Sequence, residues 1–149
     1  MSDGVKNKNI EEEQQETLLA QWQTCVEMAN AVSERRDNMN NLFVTLNLAI
    51  LAAISFIWDA KTIVLLVAGI TVCIVWILFI RNFRELNKAK FEVISEIELH
   101  LPVSAFKDEW TFVKKSKKYI EGTILEKSLP IAFCCLYIAI LIFIVCTKI

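Results

Sequence analysis

The chain has 149 residues, 55% apolar and 22% charged, with a formal net charge of -1. That length leaves room for about one domain, and the near-neutral balance argues against a nucleic-acid binder, which would be strongly basic. Mean hydropathy is +0.45, above ordinary soluble values, and the charges are segregated from three apolar runs, Leu42–Trp58, Thr62–Ile80 and Leu129–Cys146.

Met1–Asn9 is polar and without periodicity, so the expectation is a disordered N-terminus. The first forty residues lack an apolar h-region, so no cleavable leader is expected and the first span serves as the insertion signal. A helix is expected to begin near Ile10–Glu16, where acidic residues suit the positive end of the helix dipole. From Leu18 the apolar positions fall at alternating steps of four and three: Leu18, Trp22, Cys25, Ala29, Val32. The stripe breaks at Arg36 and resumes at Met39, Phe43, Leu46 and Ile50. This is a heptad seam. It predicts one long helix, or two with little kink, from about Glu12 to Trp58, on the order of 70 Å long.

The first run, 42–58, and the second, 62–80, each approach the roughly 17–25 residues that cross the hydrocarbon. Past Ile80 the helical period continues through Phe83, Leu86, Val93 and Ile97, with Arg84, Lys88, Glu92 and Glu96 opposite. Leu101-Pro102 should end that helix, because the residue before proline is pushed out of the α region. Ser104 is the expected N-cap of a third cytoplasmic helix, striped by Phe106, Trp110, Val113 and Ile120 and loosened at Gly122. Pro130 suits the first turn of the last span. The predicted architecture is therefore all-α. After residues 1–9 comes a single block, 10–149: a cytoplasmic helix 10–41, spans 42–58 and 62–80, a cytoplasmic helical hairpin 81–128, and a third span 129–147.

Basic residues set the orientation. Lys6, Lys8, Arg35 and Arg36 precede the first span, and the segment between the second and third carries Arg81 through Lys127; the other side holds only Lys61 and Lys148. The N-terminus and central segment are expected in the cytoplasm and the C-terminus outside.

Small residues stand at helix-packing spacing: Ala49 and Ala53, Gly69 and Cys73, and Ala132, Cys135 and Ala139. Such residues let backbones approach in lipid, within or between subunits. Asn47 is the most polar side chain well inside a span. It reads as interhelical hydrogen-bonding glue in preference to a pore-lining amide. No ionisable group lies within a span, which argues against pumps and proton relays; a passive pore is less strongly excluded. Arg36 on the seam would need a carboxylate, from Glu96, Glu98 or Glu109, or else lies at the interface facing lipid phosphates. The run Lys114, Lys115, Lys117 and Lys118 reads either as a solvated face or as a contact for anionic lipid or a cytoplasmic protein.

The five cysteines are odd in number and match no metal spacing. His100 is the only histidine, and three glycines leave no phosphate-cradling loop. No catalytic, metal or cofactor-binding residues are assigned, and no cofactor or nucleic-acid partner is expected.

Three stretches are more specific than these single features. They are Ser33-Glu34-Arg35-Arg36 with Asn40 and Phe43-Val44-Thr45-Leu46-Asn47; Arg84-Glu85-Leu86-Asn87-Lys88-Ala89-Lys90-Phe91; and Leu101-Pro102-Val103 with Phe106 and Glu109-Trp110. In this order, around a two-span hairpin and before a third span, the chain resembles the RipA-type family of small bacterial octameric membrane proteins. The resemblance implies an inner-membrane ring of eight copies with no established catalytic residues. It makes the pairs Arg35-Arg36 and Glu109-Trp110 expected contacts of a cytoplasmic collar. The function expected is a non-enzymatic homo-oligomer, a scaffold or a gated pore. The alternative is a membrane effector or sensor whose cytoplasmic helices bind a protein partner or anionic lipid.

Overall fold

The computed structural model describes residues 2–56, 61–115 and 122–148. Its elements are α1 (Ser2–Phe56), α2 (Lys61–Glu98), α3 (Ala105–Lys115) and α4 (Gly122–Lys148). Among the described residues there is no strand, and only 99–104 are non-helical. Three helices are long and apolar enough to cross a membrane, within Glu12–Phe56, Thr62–Glu98 and Gly122–Thr147. The protein is all-α, as its sequence predicts.

α1 runs unbroken for 55 residues. It begins at Ser2, where the sequence suggested disorder through Asn9. Extending a helix one bond at a time costs far less than nucleating it, and the strong formers Glu11–Gln15 supply the nucleus. The seam is buried at Ala29, Val32 and Phe43. It then passes through Asn47 and Ile54, while Leu46 is 41% exposed. Leu46 was the expected seam residue; a step of four from Phe43 places Asn47 there instead.

Two further boundaries differ. α2 stops at Glu98, three residues before Leu101, its last turn closed by bonds such as Leu101 N–H to the Glu98 carbonyl at 3.1 Å. α4 begins at Gly122 and carries Pro130 in its interior. The turns at 122–129, expected in the hairpin, are continuous with the last span. An interior proline removes one backbone bond and costs about 3 kcal/mol in an ordinary helix. Here the turns ahead of it are fastened by side chains. The Ser128 hydroxyl donates to the Leu125 carbonyl at 2.6 Å, and Thr123 and Glu126 are held by Arg36.

The chain divides into two compact units, one of Met1–Ser33 with Glu85–Tyr119 and one of Glu34–Arg84 with Ile120–Ile149. We call them the solvated and the apolar unit. In the apolar unit, Ile54, Leu66, Cys73, Tyr137 and Ile144 form one core cluster. Phe43, Trp76 and Ile80 form another, with Phe43 and Trp76 stacked at 5.6 Å and Phe133 against the tryptophan at 6.4 Å. In the solvated unit, Phe106 of α3 lies between Trp22 of α1 and Phe91 of α2, with ring centroids 5.9 and 5.7 Å away. Ile94 is buried there with Ala29 and Val32.

Candidate functional site: a polar seam between the spans

Heteroatoms are scarce in the spans, and lipid offers them no water. Each must find a partner inside the protein. α1 presents Arg36, Asn40, Phe43 and Asn47 at steps of four, three and four, which stacks them on one face. All belong to the first of the stretches that carry the family resemblance.

Asn47 is fully buried. Its amide nitrogen donates to the Phe43 carbonyl of its own helix at 2.7 Å. Its side-chain oxygen accepts twice, from the Tyr137 hydroxyl of α4 at 3.0 Å and from the Cys73 thiol of α2 at 3.3 Å. One amide thus ties all three spans together. The Tyr137 hydroxyl also reaches the Asn47 backbone carbonyl at 3.2 Å. Tyr137 reaches this position because Gly69 makes room for it. A Cβ on Gly69 would lie 2.5 Å from Cζ of the Tyr137 ring, well inside van der Waals contact. Gly69 and Cys73, the small pair on α2, are therefore a seat for Tyr137 within one chain.

Seven residues nearer the N-terminus, Asn40 accepts from the Trp76 indole N–H at 2.8 Å. One turn further, Arg36 pairs with Glu126. Its Nε donates to Glu126 Oε2 at 2.9 Å, and its Nη2 also reaches the Thr123 hydroxyl at 3.4 Å. The carboxylate comes from α4, and Glu96, Glu98 and Glu109 are not its source. Glu126 was overlooked because the turn carrying it was read as part of the hairpin. The two ionic side chains are 16% and 25% exposed, so the pair is shielded more than a surface bridge.

The solvated unit has one polar knot. Glu98 is buried at the end of α2. Its carboxylate accepts from the Phe106 N–H at 3.1 Å and the Lys107 N–H at 3.3 Å. Those are the second and third positions of α3, where an N-cap side chain normally accepts. Ser104 holds the N-cap backbone position, its carbonyl accepting from Asp108 N–H at 3.0 Å. Its hydroxyl, however, donates to the Glu98 carbonyl at 3.4 Å. The expected serine cap is thus a glutamate cap borrowed from the preceding helix. Trp22 Nε1 and Asn87 Oδ1 are buried without a hydrogen-bond partner.

The remaining predicted residues disperse. Ala53 is half-buried, whereas Ala49, Ala132, Cys135 and Ala139 are exposed. Glu109, Lys114 and Lys115 are exposed, and Lys114 sits 5.4 Å over the Trp110 ring. Lys117 and Lys118 lie outside the described residues. Among the described residues no three metal-ligating side chains gather.

Tyr137, Gly69 as its seat, Trp76 and Glu126 carry the geometry, and sequence reading assigned a role to Gly69 alone, as a helix contact. The available signal was chemical: a tyrosine deep in an apolar run must place its hydroxyl on a partner, and Asn47 was the one amide at hand.

Residues 19–146 match the Octameric membrane protein family (8xMP). The chain belongs to that family. The match spans the polar seam and both units, so the arrangement described here is that of an octameric membrane protein family member. No curated protein and no solved structure matches the chain.

Proposed function

We infer that the protein is a non-enzymatic homo-octamer whose copies form a helical ring in the bacterial cytoplasmic membrane. Its N-terminus and central segment face the cytoplasm as a collar, and its C-terminus faces outward. The assembly serves as a scaffold or a gated pore. Membership of the octameric family is the observation that carries this reading.

Two features of the fold support it. The polar groups of the seam are consumed inside one chain, so they hold the spans in register and leave no ionisable group for transport. The small residues left over stand on two separate exposed faces, Ala49 on α1 and Ala132, Cys135 and Ala139 on α4. A closed ring needs such a pair of different faces on each subunit, and small residues permit close helix approach in lipid.

Native mass in nanodiscs tests the reading. Eight chains are expected for the wild type, and smaller assemblies for a variant with Ala132→Leu and Ala139→Leu. A monomeric wild type overturns the ring. Conductance of proteoliposomes then separates the two roles: flux under voltage or tension marks a pore, and its absence leaves the scaffold.

A further inference from the structure

The first turns of α4, residues 122–129, are seated differently from the rest of that helix. From Pro130 onward apolar burial holds it: Pro130, Tyr137 and Ile144 are buried, and Phe133 and Cys134 pack against the core cluster. Ahead of the proline the apolar side chains face away, with Ile124, Leu125 and Leu129 63%, 67% and 46% exposed. Thr123 is the only buried residue of the segment, and Glu126 and Lys127 are half-buried. Thr123 and Glu126 are the two residues that Arg36 of α1 binds. Burial of apolar surface, the usual driving force, therefore contributes little to seating these turns, and the guanidinium does most of it.

Pro130 stands at the border between the two stretches. It has no N–H for the carbonyl four residues earlier, and its ring crowds that same group. The carbonyl belongs to Glu126, so the backbone is weakest at the residue whose side chain is held from outside. A second tie lies beyond the proline. Arg36 and Glu126 are 90 positions apart, and so are Asn47 and Tyr137, so α1 and α4 run parallel and in register. The two ties are about three turns, roughly 16 Å, apart along each helix, with the proline between them. They differ in how readily they open. Asn47 and Tyr137 are fully buried, whereas the ionic side chains are 16% and 25% exposed, and water can replace their mutual bonds when they part.

We propose that the Arg36–Glu126 pair is a latch over a hinge at Pro130. Closed, it seats residues 122–129 on α1. Open, it lets them swing about the proline while the Asn47–Tyr137 tie keeps the remainder of α4 packed. The device lies within one chain and works whatever the number of copies. Its position gives it a use. The chain enters the apolar unit at Glu34 and again at Ile120, just ahead of Arg36 and of Glu126. A displacement arriving along either segment therefore meets the latch before it reaches the buried tie of the third span.

The test reads distances within one chain by pulsed electron paramagnetic resonance. Nitroxides are attached through p-acetylphenylalanine at Asn38 and Leu125, across the latch, and in a second sample at Leu48 and Ile138, across the buried tie; all four positions are exposed. The full-length protein is reconstituted in nanodiscs, with labelled copies diluted in unlabelled ones. The wild type should give one narrow distance for each pair. R36Q should move at least half of the population labelled at Asn38 and Leu125 to a second distance and leave the other pair unchanged. E126Q, which keeps the side chain's shape without its charge, should do the same in a smaller share. Adding P130A to R36Q should reduce that second population at least twofold, because alanine supplies the N–H that the Glu126 carbonyl lacks. The wild-type distance alone in both R36Q and E126Q overturns the latch. A second distance that P130A leaves untouched overturns the hinge. Movement at both pairs means that α4 undocks as a whole, which overturns the proposal as well.

Discussion

In the apolar unit the helices meet through paired heteroatoms and one glycine: Asn47 with Tyr137 and Cys73, Asn40 with Trp76, Arg36 with Glu126, Gly69 under a ring. In the solvated unit they meet through an aromatic sandwich and a few aliphatic side chains, and large apolar groups such as Val103 and Phe112 stay exposed. The contrast follows from the solvent. Lipid tails are as apolar as leucine, so close packing and polar pairs must choose the helix partners. In water, burial alone drives association at about 25 cal/mol per Å². A solvated unit that buries so little of α3 leaves apolar surface uncovered.

The strongest way to break this comparison is at Gly69. Gly69→Val places branched carbons where the Tyr137 ring lies, and overpacking of that kind costs about 1–3 kcal/mol or more. Unfolding of the detergent-solubilised protein should show the loss. Combining it with Tyr137→Leu, which removes the ring atoms in contact, should recover part of it, a coupling that neighbours show and distant sites do not. Additive losses would mean that α2 and α4 do not meet there.

Asn47→Leu comes next. It leaves the Tyr137 hydroxyl only the backbone carbonyl of residue 47 and takes the acceptor from the Cys73 thiol, a loss of about 1–2 kcal/mol for the bonds removed. Tyr137→Phe removes the donor as well as the need for an acceptor, and should cost about 0.6 kcal/mol, the average for hydrogen bonds within membranes. If Asn47→Leu is neutral while conductance changes, the amide lines a lumen and is not glue.

The two units also differ in how far their sequence discloses them. The spans are plain because lipid imposes a composition over some twenty residues, and Asn47 stands out because nothing else in its run is so polar. Its partners are hidden because Tyr137 lies 90 positions away, and no periodicity within one helix encodes a contact between helices. Arg36 shows the same limit: its need for a carboxylate is legible, but the choice among carboxylates depends on where α4 starts. Pro130 pointed to the wrong start, because the turns ahead of it are held in the helix by contacts from another helix, Arg36 on Thr123 and Glu126, which its own sequence does not announce. In the solvated unit the Phe106 stripe is legible by its helical period. The Glu98 cap is not, since the usual signal is a residue at the N-cap itself, and Ser104 was present to satisfy it.

That cap gives the third prediction. Glu98→Ala should lower stability by about 0.5–2 kcal/mol, the range for losing an N-cap acceptor. The effect should be local: hydrogen exchange at the Phe106 and Lys107 amides should speed up while the amides of the spans keep their protection. Glu98→Gln, which keeps one acceptor oxygen, should fall between. Equal acceleration throughout the chain would show that the polar knot of the solvated unit holds the spans as well, and the contrast between the units would lose its basis.

The smallest effect on the fold belongs to Lys114→Ala. The ammonium lies over Trp110 at 5.4 Å, yet both side chains are exposed, and cation–π pairs in such settings are worth about 0.5–1 kcal/mol. The unfolding midpoint should hardly move. Raising the salt should not move it further, because two exposed groups are already screened by solvent. A midpoint that falls by several degrees would show that the lysine fastens α3 to the rest of its unit, and the contrast between a solvated unit held by ring packing and an apolar unit held by polar pairs would weaken.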